Sequence, residues 1–404
     1  MPSCNEEKKS MSVINIVPHV LKQIFMFQPK NQAIREDKEK SLIEAMEWLV
    51  RAQDVSQSGG VSAWFSLLTG WSQPYIETTG YIINTFLDYA QFSGQIEFQK
   101  RAILMADFLL AEQHSSGGFR RHARASTATS EPIVFNTGQD LLGLTEVYLL
   151  TREKKYYDSC IAAANFLCSI QEADGSWVSY TYGSMPHTYH TRVAWSLIKV
   201  AEICRIEHDS TSEAVYIKAA CKNLDWALTR QLANGWFTQN ELPPPNYPIP
   251  YTHTISYAVE GFLWSGLILR RSEYIQAALR GAYPLLKYFL NNNFLPGTFD
   301  EHWHSKDNYT CLTGNAQISL VWLELYRLTQ EPIFLFAAQR MNAKLQAIQI
   351  TSGSLDGVRG AIPGSWPIWG ELIANKGYCR LAYLNWATKF FADSLLTEIQ
   401  MEKR

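Results

Sequence analysis

Apolar residues along this chain recur at helical spacing, block after block, with polar or glycine-bearing joints between the blocks. In SLIEAMEWLVRAQ, residues 41–53, the side chains of Leu42, Ala45, Met46 and Leu49 fall on one stripe, the signature of an amphipathic helix. TTGYIINTFLDYAQFSG continues as a second helix, and IEFQKRAILMADFLLAEQ (96–113) begins the next pair. Read to its end in this way, the pattern predicts twelve helices in six hairpins, the last helix over KGYCRLAYLNWATKFFADSLL, residues 376–396. No segment alternates apolar and polar positions long enough to predict a sheet; IVF or SWVSYTY are at most short strands within loops. The expected fold class is all-α.

The joints repeat as well. Gln171–Trp177 reads QEADGSW, Gln113–Phe119 reads QHSSGGF and Gln231–Phe237 reads QLANGWF: a glutamine, three residues, a glycine, one residue and an aromatic. Weaker forms begin at Gln53, Asn293 and Gln349, so the six anchors lie 60, 58, 60, 62 and 56 residues apart. One helix pair cannot bury its own apolar faces, so repeats of this kind must pack side by side. Open helical solenoids use shorter repeats, roughly 33–47 residues. Six longer units therefore predict a closed (α/α)6 toroid with a central pocket over residues 38–404, preceded by an N-terminal extension, residues 1–37. Within the extension, VLKQIFMF is expected to form a short amphipathic helix that docks on the body, with contact to a membrane surface as the alternative.

Loop lengths then place the function. Joints from each second helix to the next first helix are short and polar, as in LTREKKYYD and LTQEPIF. Joints from first to second helix are long and hold most of the loop glycine, proline, histidine and tryptophan, so they crowd one rim above the pocket, where function concentrates on a rigid scaffold.

Composition narrows the classes. With 47% hydrophobic and 18% charged residues the chain is an ordinary globular protein, and its 13 Trp, 20 Tyr and 19 Phe are enough to fill a core and line a cavity as well. A net charge of -2 gives no electrostatic reason to bind nucleic acid. No apolar run approaches the ~20 residues of a membrane span, and no signal peptide is recognisable. Seven cysteines, an odd number without a CxxC pair, read as free thiols in a reducing compartment, so a cytoplasmic location is expected. No P-loop and no GxGxxG between a strand and a helix is present, and no cofactor is expected.

Equivalent tetrads open the second helices: TTGY, NTGQ, YHTR, THTI, LTGN and NKGY. If these starts converge, so do Tyr81, Gln139, His190, Arg192, His253, Asn315 and Tyr378, while Thr79, Thr137 and the glycines serve as caps and turns. His187, Tyr189 and His190 share one loop, and Tyr257 flanks His253 one repeat later. Glu77, beside Trp71 and Tyr75, is the first carboxylate candidate, because burial among aromatics suits a general acid or base. The expected catalytic set is Glu77, His190, His253 and Tyr257. Trp71, Tyr75, Tyr81, Gln139, Tyr189, Arg192, Asn315, Trp366, Trp369 and Tyr378 are expected to bind substrate. Further acids near the rim are Asp140, Glu260, Asp300, Glu301 and Glu371. His302, His304, Asp307 and Cys311 are metal-capable, but HxH is a loose pattern and no metal site is expected.

The glutamine-to-aromatic recurrence, covering about residues 40–395, resembles the glutamine–tryptophan repeats of the terpenoid cyclase and protein prenyltransferase superfamily. That resemblance implies a structural staple at the outer helix ends. DxDD, a DDxxD-like cluster and the prenyltransferase zinc ligands are missing here. Six-hairpin glycosidases, uronate lyases and epimerases use the same toroid. GWSQPYIETTGYIINTFLDYA and TGNAQISLVWLELYRLT look like bacterial toroid proteins associated with surface-polysaccharide synthesis. These resemblances imply an enzyme acting on a polysaccharide or lipid-linked oligosaccharide by hydrolysis, β-elimination or epimerisation, with Arg192 holding an acidic group. The alternatives are an isoprenoid-directed enzyme and a non-catalytic toroid that binds a glycan or a partner.

Overall fold

The computed structural model describes residues 37–120, 131–242 and 249–403. Among these lie twelve helices: α1 Lys38–Asp54, α2 Ile76–Ser93, α3 Ile96–Glu112, α4 Val134–Thr151, α5 Lys154–Ser169, α6 Thr191–Ile206, α7 Ser210–Leu228, α8 Thr252–Leu269, α9 Ser272–Asn292, α10 Leu312–Thr329, α11 Pro332–Ile348 and α12 Asn385–Glu402. The even-numbered helices pack one against the next and return from α12 to α2, forming a closed inner ring, and the odd-numbered helices surround them. The fold is the (α/α)6 toroid. The N-terminal extension, apart from its last residue, lies outside the described residues.

Burial explains which helix goes where. An outer helix such as α3 buries one stripe, with Phe98, Ala102, Met105, Ala106 and Leu109 facing inward. An inner helix such as α10 is buried on every side from Leu312 to Leu325, as a helix surrounded by others must be. Inner helices approach closely where their first turns carry glycine: a Cβ on Gly80 would lie 2.5 Å from the Asp140 Cα.

Four inner helices, α2, α4, α8 and α10, turn tightly into the outer helix that follows. The turns use a single left-handed residue, Gly94, Arg152, Arg270 or Gln330, whose N–H bonds back to the last turn. The long joints are held differently. Gln171 Nε2 donates to Gly175 O at 3.1 Å and to Ala219 O on α7 at 2.9 Å. Gln53, Gln113 and Gln231 make the same pair of bonds, each to its own loop glycine and to the next outer helix. Gly175 sits at φ 94°, and a Cβ there would stand 2.3 Å from the Lys222 carbonyl oxygen, so only glycine fits. At the sixth unit Gln349 Nε2 donates to Gly360 O and to Ser41 O on α1, which joins the last unit to the first. Unit five departs: Asn293 ends α9 in the left-handed region, and its side chain accepts from Arg340.

Two expectations need correction. The last helix begins at Asn385, not near Lys376. Residues 382–384 form a strand, β5, that pairs with β1 (Trp64–Ser66), which also pairs with β2 (Gly70–Trp71). A second small sheet pairs β3 (Thr310–Cys311) with β4 (Ser365–Trp366). Neither IVF nor SWVSYTY is a strand: Val134 and Phe135 already belong to α4, and Tyr182, the last residue of the second segment, opens a 3-10 turn that runs to Ser184. The real strands are two or three residues long, too short for alternation to reveal.

Candidate active site

Five inner helices bring their second and sixth residues to the centre: Glu77 and Tyr81, Phe135 and Gln139, His253 and Tyr257, Thr313 and Gln317, Trp386 and Phe390. Residues four apart share a helix face, so the ring carries two stacked layers. In the third unit a 3-10 turn, Thr188–His190, leads into α6, and Tyr189 and Arg192 take the two levels.

The lower layer closes the barrel. The Arg192 guanidinium lies 4.8 Å from the Tyr257 ring centre, 5.7 Å from Phe390 and 5.8 Å from Tyr81. Tyr81 and Phe390 are 5.7 Å apart, and Tyr257 and Phe390 6.1 Å. Several of these pairs join helices that are not neighbours in the ring, so the side chains meet across its axis and form a floor. Arg192 Nε donates to Gln139 Oε1 at 2.8 Å, and its charge pairs with the Glu260 carboxylate. Gln317 Nε2 donates to Glu260 Oε2 at 2.9 Å, and Gln317 Oε1 lies 2.6 Å from His253 Nδ1. Burial of an ion pair is tolerated here because its polar atoms are met by amides.

The upper layer is a bowl with acid–base groups. Tyr75, at the mouth of α2, donates its phenol proton to Glu77 Oε2 at 2.9 Å, and its oxygen is 3.1 Å from that of Tyr182. Tyr182 donates to Asn136 Oδ1 at 3.0 Å. His253 packs against Tyr257 at 4.2 Å and edge-on to Tyr378 at 5.5 Å. Trp386 stands 6.5 Å from Tyr75, and the more exposed Trp64 meets it edge-on.

Burial sets the protonation states. It pulls His253 down to about 3, with Gln317 opposing and the Arg192 charge adding to the drop. It pushes the phenols of Tyr75, Tyr81, Tyr189, Tyr257 and Tyr378 well above the ordinary value, and at Tyr75 the Glu77 charge reinforces the shift. Asp140, enclosed between α4 and α2, is raised for the same reason, with Glu77 adding to it. At neutral pH the bowl therefore offers a neutral imidazole, protonated phenols and the Glu77 carboxyl.

The structure brings together Glu77, Tyr75, Tyr81, Gln139, Tyr189, Arg192, His253, Tyr257 and Tyr378. Tyr378 comes from the loop ahead of α12 and not from a helix start. Other expected residues stand elsewhere. Trp71 packs 5.2 Å from Trp48 and 5.3 Å from Phe65, against the outer ring, so it does not shield Glu77. His190 is sealed among Trp177, His187, Tyr189 and Phe135, with 1% of its surface exposed, and Phe135 and Tyr257 separate it from His253. Burial, with His187, holds it well below the usual histidine range. It is a core histidine here. Arg192 does not present a free guanidinium to an acidic substrate, because Glu260 already takes its charge. Asn315 donates to Thr310 Oγ1 and fastens β3 to α10. Trp366 on β4 and Trp369 beyond it are half-buried in the loop before α12.

Thr79 and Thr137 each accept a loop N–H and donate to their own helix start, and Thr388 does the same on α12. That places ATKF (387–390), not NKGY, in register with TTGY and NTGQ, and the mismatch hid Trp386 and Phe390 in the sequence. Tyr182, Asn136 and Gln317 were also missed. The second-and-sixth rule would have found Gln317, while Tyr182 lies in an irregular loop that carries no periodic signal. His302 and His304 are exposed on a turn built around Asp300, next to Glu301, and Glu371 accepts from the Asn308 N–H. Asp307 accepts from Thr298 and pairs with Lys376, and Cys311 is buried. Among the described residues no group of three or more His, Cys, Asp or Glu gathers to hold a metal ion, and no helix is long and apolar enough to cross a membrane.

Solved structures share this architecture. An unsaturated glucuronyl hydrolase specific for heparin superposes with a TM-score of 0.68 at 15% identity, covering 91% of this chain and 98% of that one. Cellobiose 2-epimerase from Bacillus thermoamylovorans B4167 gives 0.66 at 11% identity, covering 94% and 99%. A glycosyl hydrolase family 88 protein from Bacteroides vulgatus gives 0.63 at 11%, covering 90% and 99%. At such identities the likeness is one of fold. No curated protein matches the chain by sequence. A family model does: the ulvan lyase N-terminal domain matches residues 86–394, from within α2 to within α12, so that the two layers fall inside it except for Trp64, Tyr75, Glu77 and Tyr81. The chain belongs to the ulvan lyase N-terminal domain family.

Proposed function

We propose that this protein is a carbohydrate-active enzyme that cleaves a uronate-containing polysaccharide by β-elimination in the bowl of the toroid. The observation that carries the reading is the pairing of a neutral imidazole, His253, with protonated tyrosines and the Glu77 carboxyl group, which accepts from Tyr75, in an aromatic enclosure. Hydrolysis by the usual two-carboxylate route needs a second acid across the sugar. Here Glu260 is committed to Arg192 and Asp140 is sealed between helices, which favours proton transfer by imidazole and phenol. Family membership supports a lyase in particular.

In this reading His253 removes the proton from the carbon bearing the uronate carboxyl group. The electron pair forms the new double bond as the glycosidic oxygen leaves from the adjacent carbon. A phenol, Tyr257 or Tyr378, supplies the proton that the leaving oxygen needs. Tyr75, Tyr182 and Glu77 orient the sugar through its hydroxyl and carboxyl groups, and Trp386 with Trp64 gives the rings an apolar face to stack on. The aromatic floor alone would suit an isoprenoid. The polar layer above it and the family together support a sugar. The resemblance to toroid proteins of surface-polysaccharide synthesis supports a role in that metabolism.

The test is release of unsaturated uronyl ends, followed by their ultraviolet absorbance, from a panel of uronate polysaccharides that includes ulvan. The native enzyme is expected to release them from at least one polysaccharide, and His253→Gln and Glu77→Gln to lower the rate by about 10²-fold or more. Reducing ends without unsaturation would replace the lyase by a hydrolase. Full activity in His253→Gln would remove the histidine from the mechanism.

A further inference from the structure

A buried hydrogen-bonded chain runs beneath the bowl from Arg192 through Glu260 and Gln317 to His253, crossing α6, α8 and α10. Its direction can be deduced. Glu260 forms an ion pair with the Arg192 guanidinium, and in such a pair the carboxylate oxygens accept. The Gln317 atom facing it at 2.9 Å must then be the NH2 group. That turns the Gln317 carbonyl oxygen toward His253 Nδ1, at 2.6 Å. A carbonyl oxygen only accepts, so Nδ1 must carry a hydrogen. In a neutral imidazole the lone pair is then on Nε2.

We propose that Glu260, Gln317 and Arg192 are positioning residues that lock His253 in its Nδ1–H tautomer and so make Nε2 the nitrogen that takes the proton. The consequence for turnover rests on the lyase reading above, whereas the tautomer lock does not. When Nε2 gains the substrate proton, positive charge spreads to Nδ1–H and is met by an amide oxygen polarised by Glu260. An amide spacer differs from a carboxylate bonded directly to the ring. A carboxylate would fix the same tautomer but also favour the charged imidazolium, whereas the amide orients the ring and leaves it neutral until substrate arrives. Arg192, held by Gln139, keeps Glu260 from swinging toward the histidine.

The experiment is nitrogen-15 NMR of the full chain with labelled histidine. Nine histidines are present, and His253 is assigned by the signal lost in His253→Gln. The native protein is expected to show the Nδ1–H tautomer. Gln317→Met, which keeps the Arg192–Glu260 pair, is expected to release the preference toward Nε2–H. Gln317→Glu is expected to keep Nδ1–H and to make the ring titrate at higher pH. A native Nε2–H tautomer, a ring already protonated at neutral pH, or an unchanged tautomer in Gln317→Met would each overturn the proposal. If Gln317→Met does not fold, the native and Gln317→Glu spectra decide. On a polysaccharide that the native enzyme cleaves, Gln317→Met should lose at least about tenfold in kcat with KM moving less than about threefold. If no polysaccharide is cleaved, the lyase reading fails while the tautomer result stands.

Discussion

His253 has a native pKa near 3 against an ordinary value of 6.5. Between those values the unfolded chain holds a proton that the folded one lacks. Stability contributed at this residue therefore falls as pH drops below about 6.5, by up to about 1.4 kcal/mol per pH unit, and levels off near pH 3. His187 and His190, lowered mainly by burial, act in the same sense. Asp88 acts in the opposite sense. Burial, with Asp393, raises it to about 7, so the folded chain keeps a proton that the unfolded one has lost, and this contribution to stability falls as pH climbs from about 4 through 7. Urea unfolding from pH 4 to 6.5 should show a shallower dependence on pH in His253→Gln and a steeper one in Asp88→Asn. An unchanged slope in His253→Gln would mean that the imidazole is not buried as described. A second residue-scale prediction concerns the ion pair in the floor. Arg192→Met leaves Glu260 buried without its cation and should cost about 3–5 kcal/mol. The double change with Glu260→Gln should recover part of that loss, as measured by equilibrium unfolding.

At the scale of elements, the staples give a graded set of losses. Gln171→Ala removes two hydrogen bonds to backbone carbonyls, from its own loop and from α7, and should lower stability by about 2 kcal/mol. Gly175→Ala should cost more, since it forces a side chain into a left-handed turn and onto the Lys222 carbonyl. Calorimetry of the two variants would reverse that order only if the loop can move away from α7. Legibility in the sequence follows the same division. The helices and their order could be read because apolar stripes and a constant period report burial directly. The start of α12 could not, because the glycine and tyrosine of NKGY imitate TTGY while the strand Ala382–Leu384 intervenes. His253, Tyr257, Tyr81 and Gln139 could be placed by aligning helix starts. His190 could not, because one 3-10 turn rotates it from the bowl into the core. The side on which Trp71 packs, against Trp48 and Phe65, could not be read either, because it lies in a short irregular joint with no periodicity.

At the scale of the whole molecule, a toroid is only as stable as its seam, because every other unit has a neighbour on both sides by chain order alone. Here α1 seats against α12. Lys38 Nζ pairs with Glu398 at 2.5 Å, Asn342 donates to the other oxygen of that carboxylate, and Gln349 reaches the Ser41 carbonyl. Asn385, the first residue of α12, donates to Ser62 O and to Thr78 Oγ1 and so ties the sixth unit to the first at the rim of the bowl. The Glu398 side chain is 1% exposed, so Lys38→Met would leave a buried carboxylate held by one amide, at a cost of about 3 kcal/mol. Because α1 lies over the closing inner helix, that loss should be felt by the ring as a unit. Tryptophan fluorescence and far-ultraviolet circular dichroism are expected to shift together to lower denaturant, in one transition. Early proteolysis of α1, with the remaining helices unfolding at the native midpoint, would show the opposite: a ring of eleven helices that stands without its first, and a seam that contributes little to the bowl it borders.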